Sequence, residues 1–181
     1  MDNLSPDMLI VPMIALTLVA MMYAHFLRKV TDRQQYQYLV LTVAITAFIL
    51  NFIWEVAQGP LYKSFQYDGK HISFCALAAV ADMFMVLVLL LGFGFYNSVF
   101  WIKQLNIGKV GMLILVGGIG AILSERWHTA RGDWSYDESM PLLPGAEVGL
   151  SPVLQFAILP LVVFLISRKT LRNYNFQSHK R

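Results

Sequence analysis

The sequence predicts an all-α, polytopic transmembrane bundle of five spans, on three observations. Of 181 residues, 57% are hydrophobic and only 14% are charged, against roughly a quarter charged in a soluble domain. The apolar residues gather into runs of the length a bilayer core about 30 Å thick demands, roughly 20 residues at about 1.5 Å of rise. An unpaired backbone amide in lipid costs several kcal/mol, so each run is expected as a helix; no β-barrel alternation competes with it. One compact membrane domain, 1–181, accounts for the whole chain, with no repeat and no low-complexity segment.

The spans are expected at about 8–27, 38–58, 71–95, 107–124 and 149–167, with 125–148 as an extracytoplasmic cap loop. The first follows Asp2 and Asp7, has no basic flank before it and no small-residue cleavage site after it, so it is expected to remain in the mature protein. Arg28, Lys29, Arg33, Lys103, Lys109, Arg168, Lys169, Arg172, Lys180 and Arg181 then fall on one side, and only Lys63, Lys70, Arg126 and Arg131 on the other. By the positive-inside rule the N-terminus is outside and the C-terminus cytoplasmic, and the expected location is a bacterial inner membrane. The net charge of +3 is thus a topology signal beside anionic membrane lipids, and nucleic acid is not expected as a partner.

Composition removes several classes. A single cysteine, Cys75, allows no internal disulfide, CxxC pair or thiolate cage. Four histidines are few for a His-rich di-iron site, and no GxxxxGK[ST] or GxGxxG element cradles a nucleotide. His25 and His179 sit at a helix end and in the tail and carry no role; Cys75 reads as packing, and Met83 and Met85 as lipid-facing filler.

Polar residues inside apolar spans are costly, about 2.5–3.5 kcal/mol each for ionised groups, and so mark candidate sites. Asn51, Glu55 and Gln58 lie at i, i+4 and i+7 on one face of the second span, with Trp54 beside them. His71, Cys75 and Asp82 form a second stripe on the third. On the fourth, Gly117 and Ala121 lead to Glu125 and His128, the small residues permitting close helix approach. Ser151 suits an N-cap and Pro152 a first turn for the fifth span, with Gln155 one turn inside. In the five-span topology these groups meet near the outer leaflet, Asp82 forming the floor of a polar chamber and Trp134, Tyr136, Asp137 and Glu138 its roof.

The chemistry this permits is acid–base work on an apolar lipid. Glu55, Asp82 and Glu125 are the candidate acids and bases, with His71 orienting or shuttling a proton. Asn51, Trp54, Gln58, His128, Trp134, Tyr136 and Gln155 are the candidate substrate-binding groups, the ring faces stabilising positive charge. Such a reaction needs no metal, nucleotide or other cofactor. Three other readings stay open: a small proton-coupled transporter, a non-enzymatic membrane subunit or lipid-binding scaffold with a membrane or envelope protein partner, and a haem or metal site using His71 with His128. The bland alternative for Glu55 and His71 is an ion pair locking the bundle; for Trp54, Trp127, Trp134 and Tyr136 it is an interfacial aromatic belt.

Two resemblances follow from these residues. Asn51-Phe-Ile-Trp54-Glu55-Val-Ala-Gln58-Gly-Pro60-Leu-Tyr62, the His71…Cys75…Asp82 helix, Glu125-Arg-Trp-His-Thr-Ala-Arg-Gly-Asp-Trp134-Ser-Tyr136, and the later Met140-Pro141, Pro144-Gly145 and Val148 to Gln155 resemble an uncharacterised bacterial family of small polytopic membrane proteins. Over Glu125 to Gln155 the chain is also similar to the heterodimeric and fungal type of lycopene cyclase domain. There an acid ends one helix, Trp-x-Tyr follows, and Gly and Pro open the next. This second resemblance implies an isomerase or cyclase acting on an isoprenoid, but Gln155 stands where those domains carry a glutamate, and an amide neither gives nor takes that proton.

Overall fold

The computed structural model describes residues 10–96 and 98–178 of the chain. Asp2, Asp7, Met8 at the start of the first expected span, and His179, Lys180 and Arg181 of the tail lie outside the described residues.

Five helices carry the fold: α1 (Ile10–Lys29), α2 (Arg33–Gln58), α3 (Gly69–Tyr96), α4 (Ile107–Arg131) and α5 (Leu150–Ser178). Local chemistry sets several ends. The Asp32 carboxylate accepts from the Gln35 amide at 2.8 Å to start α2, and Asn106 from the Lys109 amide at 2.9 Å to start α4, each satisfying an amide that the helix cannot pair. Helix α4 continues to Arg131, past the expected end at Ser124, because Glu125-Arg-Trp-His-Thr-Ala-Arg carries no breaker. It stops at Gly132, whose positive φ of 75° is a left-handed cap that glycine adopts without penalty. Glu125 and His128, read on the line of the fourth span but beyond its expected end, therefore stand on a rigid helix. Ser151 is likewise no N-cap: α5 begins one residue earlier, and the Ser151 hydroxyl serves a side chain described below.

Helix α2 is central, packed on α3 and α5, while α1 leans on α3 and α4 on α5. Across the bundle the order is thus α1, α3, α2, α5, α4, and among the described residues no comparable interface joins α3 to α4. A crevice between those two helices, backed by α2 and α5, is the consequence.

The α4–α5 contact has a specific origin. Pro160 lies inside α5 and offers no N–H to the carbonyl of Phe156, four residues back. That carbonyl faces Gly117, where an added Cβ would collide with the Phe156 oxygen. A glycine Cα set against a freed carbonyl oxygen is the close backbone approach that small residues allow in membrane bundles.

Four helices among the described residues are long and apolar enough to cross a membrane: α2 with its short 3-10 extension, α3, α4 and α5 up to Tyr174. Their surface agrees. Leu41, Ile45, Ile49 and Ile53 recur every fourth residue on α2, and Met112, Leu115, Ile119 and Leu123 run along α4, all exposed. A stripe of that extent has no counterpart on an ordinary soluble monomer and faces lipid without cost.

At one end of the bundle the interior is apolar: Tyr36, Leu39, Val43, Val86, Leu90, Leu91, Ile102, Val163 and Phe164 form a continuous cluster closed below by Trp101, and Met83 packs against it. At the other end a cap covers polar side chains. It contains a two-stranded antiparallel ribbon, β1 (Leu142–Leu143) and β2 (Val148–Gly149), with Leu142 opposite Gly149. The α2–α3 connection is bound to it, Lys63 N donating to Ser135 O at 3.0 Å and Asp137 N to Leu61 O at 2.9 Å.

Candidate functional site

The face of α2 read from its i, i+4, i+7 spacing is the base of the site. Gln155 of α5, almost fully buried, meets it. Its Nε2 stands 3.0 Å from Asn51 Oδ1, 2.9 Å from Glu55 Oε1 and 2.9 Å from Asp82 Oδ2. The amide has two hydrogens and three acceptors. Gln155 Oε1 accepts from Gln58 Nε2 at 3.0 Å, which also donates to Glu55 Oε1 at 2.9 Å. Gln58 Oε1 in turn accepts from Ser151 Oγ at 2.8 Å and Trp54 Nε1 at 3.2 Å. Asn51 Nδ2 closes the set on its own helix, donating to Ala47 O at 2.8 Å. Glu55 and Asp82 thus share the Gln155 amide, and α2, α3 and α5 are tied by one network around two carboxyl groups.

Glu125 anchors a second group one helix away. Tyr136 OH donates to its Oε2 at 2.5 Å, and Trp134 Nε1 to the same oxygen at 3.2 Å. Both donors come from the cap. Burial first, and then the bond to Glu125, push the Tyr136 phenol above its ordinary range, so it stays a donor through neutral pH. One turn along α4, His128 Nδ1 lies 2.7 Å from Asp133 Oδ2, both side chains nearly buried. The Trp134 indole stacks on the imidazole with centroids 4.3 Å apart.

One cavity of about 550 Å³ joins the two groups. Glu55, Asp82, Glu125, Gln58, His128, Trp134 and Gln155 line it, as do His71, Cys75 and Tyr62. Most of the rest of its wall is hydrocarbon, chiefly from α3 and α4, including Ala78, Ala81, Met85 and Val88 on one and Val116, Gly120 and Leu123 on the other, with Pro12 of α1 and Pro152 and Phe156 of α5 beside them. Val116 and Leu123 are also exposed on the outer surface of the bundle, so the cavity opens sideways through the α3–α4 crevice. Its size is that of a small-molecule site, apolar with a few convergent polar groups.

Several expected roles move. Asn51, Trp54 and Tyr136 do not line the cavity; they hold the groups that do. Asp137 and Glu138 are exposed and roof nothing: the Asp137 carboxylate accepts from the Ser139 amide and hydroxyl at 3.1 and 2.9 Å. His71 does not pair with Glu55. Its Nδ1 lies 2.8 Å from Asp68 Oδ1, and the same oxygen accepts its backbone N–H at 2.8 Å. The two histidines considered as a haem or metal pair thus each have an aspartate of their own. Met85 borders the cavity and Met83 packs on the apolar cluster, both half-buried.

Sequence reasoning missed Tyr62, Asp68 and Asp133. Tyr62 lines the cavity beside Tyr136 and Trp134, with ring centroids 5.7 and 6.5 Å away; burial, followed by the charge of Glu125, raises its phenol. The Asp-x-x-His spacing at Asp68 and the aspartate just past a helix-ending glycine at Asp133 were the available signals. Among the described residues no group of three or more His, Cys, Asp or Glu is arranged to hold a metal ion. Comparison with protein-family models, curated proteins and solved structures finds no match for the chain.

Proposed function

We propose that this protein is a membrane-embedded acid–base enzyme of isomerase or cyclase type acting on an isoprenoid or other apolar lipid. The observation that carries the reading is one laterally open, largely apolar cavity holding three carboxyl groups from three helices beside the faces of Trp134 and Tyr62. Three acceptors round the two hydrogens of the Gln155 amide favour a proton held between Glu55 and Asp82, the geometry of a shared acid. That pair protonates a carbon of a double bond; the electron pair forms the new C–H bond and leaves a cation against the ring faces. Glu125 takes a proton from an adjacent carbon, and the double bond re-forms one position along. One proton enters and one leaves, so the step needs no redox partner. The similarity over Glu125 to Gln155 to a lycopene cyclase domain supports the class of reaction, with the acid supplied here by α2 and α3 in place of residue 155.

The topology belongs to the same proposal. Helix α1 is read as a fifth span, the N-terminus as outside, the C-terminus as cytoplasmic and the membrane as a bacterial cytoplasmic membrane, on the Lys and Arg asymmetry. A fluorescent reporter on the C-terminus that lights and a phosphatase on the N-terminus that is active are the expected outcome; the reverse pattern would overturn it.

The enzymatic reading is tested by incubating purified protein with its co-extracted lipids in D2O. Mass spectrometry is expected to find deuterium at carbon in an unsaturated lipid, at least about 100-fold less in Glu125→Gln, the scale of a lost acid or base. Equal incorporation by wild type and Glu125→Gln, with both folded, would overturn it. One observation favours a second reading, a non-enzymatic lipid-binding subunit: the amides of Asn51, Gln58 and Gln155 also serve to lock three helices. Stoichiometric capture of an envelope protein through the cap, with no deuterium uptake, is its signature.

A further inference from the structure

The cavity is lined by acids without a matching base. Glu55, Asp82 and Glu125 line it, and among the described residues no Lys or Arg does. His71 and His128 do not supply the missing cation, since Asp68 and Asp133 already match them at 2.8 and 2.7 Å. Glu125 sharpens the imbalance. It is 7% exposed, and both its donors, Trp134 and Tyr136, serve Oε2. Among the described residues Oε1 has no donor, yet it is not one of the sealed, unpartnered side-chain atoms, of which Ser167 Oγ is the one found there. It therefore opens on the cavity that Glu125 lines. Glu125 ionised at this place is costly without a counter-charge, and a ligand that brings a positive charge offsets that cost.

The surroundings state what kind of cation fits. The rings of Tyr62, Phe65, Phe74, Trp127 and Trp134 stand in the wall, and ring faces attract a soft, weakly hydrated cation such as an alkylated ammonium. A small inorganic ion wants a shell of oxygens, which the hydrocarbon along Ala81, Met85 and Val88 does not provide. That hydrocarbon wall suits an alkyl tail, and the crevice between α3 and α4 opens towards the lipid-facing surface. We propose that the cavity is a binding site for a lipophilic ammonium cation, its charged head between Glu125 and the aromatic rings and its tail along α3. The proposal deepens the acid–base reading and rests on the same cavity being the working site, the ammonium occupying the position of the reaction's cation.

The test uses octyltrimethylammonium, its neutral isostere heptyl tert-butyl ether, and octyl sulfate, each titrated into the full-length protein in non-ionic micelles and followed by tryptophan fluorescence. The ammonium is expected to bind saturably and at least about tenfold more tightly than the ether, with octyl sulfate weakest. Glu125→Gln is expected to erase the preference for the ammonium over the ether. Gly120→Leu fills the crevice and is expected to weaken both ammonium and ether; Gly118→Leu, on the same helix but off the cavity, leaves both unchanged. An added Cβ meets nothing within 4 Å at either glycine, so these two variants read binding even if the Glu125 variant fails to fold. Equal affinity for ammonium and ether, octyl sulfate binding as tightly as the ammonium, or a preference that survives Glu125→Gln would overturn the proposal. Deuterium incorporation without an ammonium preference removes this inference alone; an ammonium preference in a protein that incorporates no deuterium keeps it and removes the acid–base reading.

Discussion

The two ends of the bundle solve the burial problem in opposite ways. At the apolar end the few polar atoms are closed off locally: Trp101 Nε1 donates to Leu90 O at 2.8 Å and Tyr36 OH to Tyr23 O at 3.2 Å, with Ser167 Oγ the exception among the described residues. At the capped end acceptors outnumber donors, and the helices are held through the Gln155 amide. One end is packed to stay shut, and the other keeps a cavity lined by acids without a matching base. Stability that is not spent on closure is the usual mark of a working site.

The largest expected effect falls on the residue that joins the two carboxyl groups. Gln155→Leu strips Asn51, Glu55 and Asp82 of their common donor, and the free energy of unfolding in mixed micelles is expected to drop by about 3 kcal/mol or more, because buried acceptors are left unmet. The matched change at the apolar end, Trp101→Phe, loses one neutral bond and is expected to cost about 1 kcal/mol. Equal costs would erase the distinction between the ends. Between them in size lies Gly117→Ala, at roughly 2 kcal/mol, since its methyl group must displace the Phe156 carbonyl; wild-type stability there would show that α4 and α5 are not in backbone contact.

Much of this difference was legible from periodicity. Asn51, Glu55 and Gln58 announced a face because a helix returns every 3.6 residues, and Asp82 stood out because an acid in an apolar run is expensive. Gln155 was placed one turn into its helix, but its meeting with Asp82 depends on how α3 and α5 lie across α2, which no local pattern encodes. The fourth span was bounded at Ser124, short of the end of α4 at Arg131, because hydropathy ends there while helix propensity, and the spacing that reaches Glu125 and His128, do not. The pairs Asp68–His71 and Asp133–His128 sit at helix ends, where hydropathy carries no signal and only the Asp-x-x-His spacing and the aspartate after Gly132 point to them.

The smallest effects belong to the rim. Removing the donor in Tyr136→Phe leaves Trp134 on Glu125 and is expected to lower deuterium incorporation by about tenfold, the scale of one hydrogen bond to a charged group; no change would place the phenol outside the mechanism. The Asp68 carboxyl is held below the usual range by the His71 backbone N–H and then by its ring. Its contribution is therefore complete above the ordinary aspartate range near pH 4 and lost as pH falls through the lowered value. Because the group is exposed, the expected outcome is a low carboxyl titration midpoint by NMR with no measurable change in stability for Asp68→Asn. An unshifted midpoint would dissolve the pair.

The most direct measurement reacts the protein in bilayers with a lipophilic carbodiimide and, separately, with a water-soluble one, and maps the adducts by peptide mass spectrometry. The account predicts that the lipophilic reagent modifies Glu55, Asp82 or Glu125 through the crevice, that the water-soluble reagent does not, and that Gly120→Leu blocks the reaction. Adducts confined to Asp68, Asp137, Glu138 and Glu147 with both reagents would contradict it.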